Sequence, residues 1–253
     1  MIPYREFPPH PALAPYVACY WSITSPLPLI NRILPDGCTD IVVTPELKFV
    51  GAMRSAFVSQ IIPDSLTVGI RFKPGGSSAF FRLPLNELTD NEVTLDNLWG
   101  RFAHDLTDQL AAARTAREKI AHLEAALLCR LDQLPTLNPT LQQAVSTVRQ
   151  ANGDITITDL RTRLALSERQ LERGFHQWVG LSPRQFARVT RFRQVVDLLH
   201  QPALSLTQIA YRAGYYDQAH FIHDFKSLAG LTPRDYRREQ QDVGFLQFPA
   251  VTA

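Results

Sequence analysis

Apolar positions change their rhythm along the 253-residue chain. In the first hundred residues short β-rich runs occupy 19–23, 41–44, 48–50, 57–62 and 66–72. Turn formers separate them: Pro35-Asp36-Gly37, Thr44-Pro45, Pro63-Asp64 and Pro74-Gly75-Gly76. Short strands punctuated in this way predict a sandwich or barrel. Near residue 94 the texture turns helical. Leu106, Leu110 and Ala113 form one apolar stripe, and Ile120, Leu123, Leu127 and Leu131 form a second. Thr115-x-x-Glu118 between them has the spacing of a capping box, so the segment is expected to be two helices. These stripes are expected to pack on the strands rather than form a coiled coil, because a strict heptad breaks at Arg117 and Glu124. Residues 134–139 look like a short linker, residues 140–238 are helical in pattern throughout, and the tail after Gln241 has no clear period. The expected units are a β-rich region at 1–98, a helical segment at 99–134 and an all-helical region at 138–240, an α+β chain overall.

The helical region contains a duplication. Phe175-His-Gln-Trp-Val-Gly180-Leu-Ser-Pro183-Arg-Gln-Phe186 recurs 50 residues later as Phe225-Lys-Ser-Leu-Ala-Gly230-Leu-Thr-Pro233-Arg-Asp-Tyr236. Upstream the offset is 49: Thr156-Ile157-x-Asp159-Leu160 aligns with Ser205-Leu206-x-Gln208-Ile209. The second copy therefore holds one extra residue in its turn or helix start. In each copy Thr156 or Ser205 is an expected N-cap, with Asp159 or Gln208 at the position that reaches back. A short helix, a turn and a second helix follow, the latter starting at Ser167-Glu-Arg-Gln170 or near Asp217. Leu171 and Phe175, like Phe221 and Phe225, fall four apart and share an inward face. Gly180 and Gly230 end these helices, and Ser182-Pro183 and Thr232-Pro233 start the next ones with Pro at the first position. The result is a helix-turn-helix present twice.

A plain bundle of helical hairpins would show the same periods. The outward face of each second helix argues for more. It carries Glu168, Arg169, Gln170, Glu172, Arg173, His176 and Gln177 in the first copy, and Gln218, His220, His223, Asp224 and Lys226 in the second. Long hydrogen-bonding side chains are what reading a major groove needs, and also what any solvated helix face carries.

Ile209-Ala-Tyr-Arg-Ala-Gly214-Tyr-Tyr-Asp-Gln-Ala-His-Phe221-Ile-His-Asp-Phe225-Lys, followed by Gly230-Leu-Thr-Pro233-x-x-Tyr236, resembles the second helix-turn-helix and C-terminal signature of the AraC/XylS family of bacterial transcription regulators. Residues 160–183 resemble the first unit more loosely, and the likeness spans about 138–240. It implies a seven-helix domain with two recognition helices entering successive major-groove segments of double-stranded DNA. Carried over, the first helix offers Arg169, Gln170, Glu172 and Arg173, and the second offers Gln218, Ala219, His220 and His223. Arg173 matches a position where the family has Arg. His223 departs from it, and imidazole lacks the bidentate fork of a guanidinium. Arg161 stands where the family prefers a small residue; its stem either snorkels outward or marks a differently packed hairpin.

In the N-terminal part, Ile33-Leu-Pro-Asp-Gly-Cys-Thr-Asp-Ile41, Val68-Gly-Ile-Arg-Phe-Lys-Pro-Gly-Gly76 and Leu95-Asp-Asn-Leu-Trp-Gly100 resemble a domain found with a branch of these regulators. That implies a cupin-like β-barrel sensor for a small-molecule effector, followed by helices that dimerise the chain. RNA polymerase is a further candidate partner. Asp36, Asp40 and Arg71 are the candidate ligand-binding residues, although Pro35-Asp36-Gly37 reads most simply as a hairpin turn and Asp40 and Arg71 read first as surface or structurally paired residues. Trp21 and Trp99 are expected in the core.

Charge refines this picture only modestly. The net charge is +2, but residues 1–137 carry 12 Lys+Arg against 14 Asp+Glu, and residues 138–253 carry 14 against 10. Thirteen of those last 14 cations are Arg, suited to phosphates and guanine edges, or a trace of a GC-rich genome. The three scattered cysteines fit a reducing cytosol better than a disulfide scaffold. No apolar run reaches the ~18 residues of a membrane helix, and no signal peptide is expected. The closest His pair, His220 and His223, lies on the expected DNA face, so neither metal nor cofactor is expected. No phosphate loop, nucleophile elbow or acid pair stands out, so catalysis lacks a candidate residue. The competing reading is a small-molecule-binding or catalytic barrel whose helical region makes protein contacts.

Overall fold

The alternating β positions become strands because each one has an inside and an outside. In the computed structural model, which describes residues 4–131 and 138–242, the strands are β1 (Tyr4–Phe7), β2 (Val17–Thr24), β3 (Leu29–Ile33), β4 (Thr39–Val43), β5 (Leu47–Val50), β6 (Phe57–Ile61), β7 (Leu66–Phe72) and β8 (Glu92–Thr94). Helices α1 (Asp96–Trp99), α2 (Arg101–Ala112) and α3 (Ala116–Leu131) follow. Beyond them lie α4 (Pro139–Gln150), α5 (Ile157–Leu164), α6 (Glu168–Trp178), α7 (Pro183–Leu199), α8 (Leu206–Arg212), α9 (Gln218–Ala229) and α10 (Pro233–Asp242). Residues 134–137 of the expected linker and the tail past 242 lie outside the described residues.

Six strands form one antiparallel sheet in the order β1-β2-β7-β4-β5-β8, while β3 and β6 pair only with each other. The expected closed barrel is therefore replaced by an open sheet with a two-stranded ribbon across it. Closure would need ladder bonds between the ribbon and an edge strand, and among the described residues β1 and β8 make none with it. The alternation decides what each face of the sheet does. Tyr20, Ile41, Val43, Phe49, Val68, Ile70 and Phe72 are buried against the stripes of α2 and α3, as Leu106, Leu110, Ile120, Leu123 and Leu127 are from the other side. The Thr115–Glu118 capping box forms as expected: the Thr115 N–H donates to Glu118 Oε2 at 3.1 Å and the Glu118 N–H to Thr115 Oγ1 at 3.2 Å. Trp99 is core, its Nε1 donating to the Phe80 carbonyl at 3.1 Å.

The opposite face carries Trp21, Asp40, Val42, Lys48, Thr67 and Arg71, which look toward the ribbon across a cavity. Gly69 is required here: a Cβ would stand 2.3 Å from Trp21 Cε2, so only glycine lets the indole lie on the sheet.

Seven helices, α4 to α10, make up the described C-terminal region. Their core is built on Leu171, Phe175, Phe186, Phe192, Phe221, Phe225 and Tyr236, all fully buried, and Leu34 and Ala52 from the β region join it. Burying each of the large apolar side chains contributes about 1.5–3 kcal/mol.

Candidate nucleic-acid interface and sheet cavity

Each unit of the duplication begins on a cap. The Thr156 Oγ1 accepts from the Asp159 N–H at 3.0 Å, and its hydroxyl donates to Asp159 Oδ2 at 2.7 Å. Ser205 and Gln208 form a full capping box. The second helices are capped by Ser167, again in a capping box with Gln170, and by Asp217, which accepts from the His220 N–H at 2.7 Å. Between the helices the first unit turns at Ala165, in the left-handed region at φ +52°, and the second at Gly214, φ +73°. The extra residue of the second copy lies in that turn: 11 residues separate the caps Thr156 and Ser167, and 12 separate Ser205 and Asp217.

On α6, Arg169, Gln170 and Arg173 are exposed and Glu172 is half-buried; on α9, Gln218, Ala219, His220 and His223 are exposed. The eight are not equally available. The Gln170 side-chain carbonyl is taken by the cap, accepting from the Ser167 N–H at 2.9 Å. Glu172 Oε2 lies 3.5 Å from His176 Nε2. Gln218 Oε1 accepts from the Thr207 hydroxyl at 3.0 Å, which ties α9 to α8. The His220 ring packs edge-on against Tyr215, with centroids 5.4 Å apart. Arg169 and Arg173 make no hydrogen bond or ion pair among the described residues.

One sequence expectation changes, and one left open is decided. Asp224, grouped with the outward residues, is buried and turned toward α7. Its Oδ1 accepts from Arg188 Nε at 2.6 Å and its Oδ2 from the Tyr215 hydroxyl at 2.8 Å, while Arg188 also reaches the Ser227 hydroxyl. Burial, reinforced by Asp224, pushes the Tyr215 phenol well above its ordinary value. The signal was present in the sequence, because Phe221, Asp224, Phe225 and Leu228 fall at i, i+3, i+4 and i+7, the inward stripe of a helix. Arg161 leans outward over the first turn, with Nη1 at 3.3 Å from Glu168 Oε2, clasping α5 to α6. Tyr211 on α8 and Tyr216 in the turn of the second unit, at 85% and 95% exposure, were not singled out by the sequence.

The C-terminal ends of both helices dock on the β region. Thr89 Oγ1 donates to the Gly180 carbonyl at 2.6 Å, just past α6. At the end of α9 the Ala56 N–H donates to the Leu228 carbonyl at 2.7 Å, and Arg32 Nη1 to the Ala229 carbonyl at 3.3 Å. Gly37, at φ +78°, lies against Phe186 of α7, where a Cβ would stand 2.6 Å from the ring.

Asp36, Asp40 and Arg71 come together on the wall of the cavity of about 550 Å³ between sheet and ribbon. Asp36 also makes its turn, accepting from the Cys38 N–H at 2.9 Å. Arg71 is buried and paired with Asp36, and its Nη1 lies 3.8 Å from Asp40 Oδ2. Trp21 Nε1 donates to Asp40 Oδ1 at 3.0 Å. Burial pushes the Asp40 carboxyl up to about 7, against the pull of the Trp21 hydrogen bond. Burial, followed by the Arg193 charge, lowers the Arg71 guanidinium to about 10. Among the described residues no three His, Cys, Asp or Glu side chains gather as a metal site, and no helix is long and apolar enough to cross a membrane.

Comparison with known proteins agrees with this geometry. Residues 160–239 match the helix-turn-helix domain family HTH_18, and residues 5–94 match a domain of unknown function, DUF6597. The HTH-type transcriptional regulator ArgR of Pseudomonas aeruginosa is 30% identical over 112 residues, 44% of this chain and 34% of that protein. The HTH-type transcriptional activator RhaS of Escherichia coli is 36% identical over 85 residues, 34% of this chain and 30% of its own. The chain spans about a third of the length of the curated relatives it matches. Among solved structures, ToxT from Vibrio cholerae O395 aligns over 87% of this chain and 95% of its own, with a TM-score of 0.44 at 11% identity. Through the duplicated, twice-capped unit at 160–239, the chain carries a helix-turn-helix domain similar to those of the HTH-type transcriptional regulators.

Proposed function

We propose that the chain is a sequence-specific DNA-binding regulator of transcription, with α6 and α9 reading bases and the sheet cavity receiving a small-molecule effector. The observation that carries this reading is the pair of exposed, N-capped polar helices in a duplicated unit of a DNA-binding family. Arg173 and Arg169, unengaged on the surface, are the groups to reach guanine O6 and N7, with Arg173 the main anchor. Gln170 has only its amide N–H₂ left to offer, because its oxygen holds the cap. Gln218, His220 and His223 supply hydrogen bonds to bases or phosphates, Glu172 an acceptor for cytosine N4, and Ala219 an apolar contact for a thymine methyl. Exposed Arg163 and Arg212, with the helix N-termini, anchor the phosphates. The activator among the relatives supports RNA polymerase as a further partner. The free cysteines Cys19, Cys38 and Cys129 support work in the reducing cytoplasm.

The test is selection of bound duplexes from a random pool by the full chain, followed by titration at several salt concentrations. We expect enrichment of a two-part site and an affinity that falls steeply with salt, with a log–log slope of about −0.9 per phosphate contacted. No enrichment, with no retardation of DNA even at low salt, would falsify the reading.

A further inference from the structure

The cavity between sheet and ribbon has a wall chemistry that narrows its ligand. Its volume of about 550 Å³ is that of a small-molecule site. Its cationic and indole donors are already committed. Arg71, 5% exposed, faces Asp36 and Asp40, and Trp21 Nε1 is bonded to Asp40. Lys48 Nζ lies 3.0 Å from Glu46 and 3.7 Å from Glu92. Its acceptors are not all committed. Asp40 Oδ2, at 3.8 Å from Arg71, is beyond direct hydrogen bonding and belongs to a side chain 17% exposed to the cavity. Asn31, 8% exposed on the ribbon wall, has a buried Oδ1 with no hydrogen-bond partner among the described residues. An unsatisfied buried acceptor is costly, and a ligand that donates to it removes the cost.

Charge points the same way. On the sheet wall Asp36 and Asp40 share one guanidinium, Arg71, while at the rim Glu92 is paired with Lys48 and Asp90 with Arg54. An anionic ligand would meet four carboxylates and no uncommitted cation. A neutral alcohol would donate to Asp40 but bring no charge to its carboxylate. The Trp21 indole, pressed onto Gly69, gives the wall an aromatic surface that favours a cation or an apolar skeleton.

We propose that this cavity binds a small primary amine as its ammonium ion, the nitrogen held by Asp40 Oδ2 and Asn31 Oδ1 and the carbon skeleton against Trp21. A primary ammonium has three donors and one positive charge, which match two open acceptors, one of them a carboxylate oxygen. This deepens the proposed effector site, and only its regulatory consequence rests on that reading.

The full chain is titrated with three compounds of one skeleton, phenethylamine, 2-phenylethanol and phenylacetate, and with the smaller set n-butylamine, n-butanol and butyrate. Thermal stability and tryptophan fluorescence are the readouts. We expect an amine to raise the melting temperature and shift the fluorescence, and its alcohol and acid to bind about 30-fold more weakly or not at all. Asp40→Asn should weaken amine binding by a similar factor and leave the alcohol unaffected. If Asp40→Asn melts early, Asn31→Ala replaces it, with the same selective loss expected. Equal binding of alcohol or acid, no binding of either amine, or undiminished amine binding by the variants would each overturn the proposal. Selection of DNA by the same preparation is scored separately. Amine binding without DNA selection would break the regulator reading alone, and DNA selection without amine binding would break this one alone.

Discussion

The two helix-turn-helix units share a sequence pattern but are held together by different physics. In the first, the position one residue before Phe175 is Gly174, and α6 closes on α4 by contact: a Cβ there would stand 2.8 Å from Leu141 Cδ2. In the second, the equivalent position is Asp224, and α9 closes on α7 through the Arg188–Asp224–Tyr215 group, in which Asp224 and Tyr215 are buried. The first turn is clasped by the Arg161–Glu168 ion pair, and the second by the Thr207–Gln218 hydrogen bond. On the outer face Arg173 of the first unit is matched by His223 of the second. Duplication thus preserved the inward apolar pair and the caps, while the third inward position and the outer cation diverged. Packing tolerates either a void-free close approach or a fully satisfied polar group at one site, but not a half-satisfied one.

The comparison can be broken at its strongest point. Asp224→Ala leaves the Arg188 guanidinium and the Tyr215 hydroxyl without their acceptor. It should cost about 3 kcal/mol in urea unfolding of the whole chain, the lower end for a broken buried pair because Arg188 is half exposed. A loss within about 0.5 kcal/mol would mean that the second unit is held by its Phe pair alone. Next in size is the readout asymmetry. Arg173→Ala should weaken specific DNA binding by about 1–3 kcal/mol and relax one base position, while His223→Ala should cost under about 1 kcal/mol. Comparable losses at the two positions, measured by titration on the selected site, would erase the distinction between guanidinium and imidazole. The smallest effects concern docking. Thr89→Val frees the Gly180 carbonyl and Arg32→Met the Ala229 carbonyl, each worth about 1 kcal/mol. Hydrogen exchange should quicken near residues 178–181 in the first variant and near 228–231 in the second. Quickening at both ends in either variant would show that the two docks open together.

The helical region was largely legible from the sequence because its signals are local. Caps at Thr156, Ser167, Ser205 and Asp217, Pro183 and Pro233 at helix starts, and the four-residue spacing of the Phe and Leu pairs are all set within one or two turns of chain. Asp224 was misplaced because polarity was read before period. The β region was legible in part. The five central runs appear as β2, β4, β5, β6 and β7. The strands β1, β3 and β8 carried no distinct pattern: β1 and β8 are short edges, and β3 has exposed Ile30 on its outer side. The barrel expectation failed because closure depends on which strand edges meet, and alternation along a strand says nothing about its neighbours across a sheet.

At the cavity the sequence supplied Asp36, Asp40 and Arg71 as residue types on turns and strands, with structural pairing and ligand binding both open. Only the tertiary structure decided that Arg71 is taken up by Asp36, and that Asp40 and Asn31, 9 residues apart in sequence, line one cavity from sheet and ribbon. The sequence by itself determined the duplicated unit, its caps and its two outward faces, since these depend on side chains within hydrogen-bond reach along one helix. The tertiary structure alone decided the open sheet, the cavity and the docking of α6 and α9 on the β region. Those follow from long-range contacts, such as Arg32 with Ala229 and Thr89 with Gly180, whose partners no local pattern specifies.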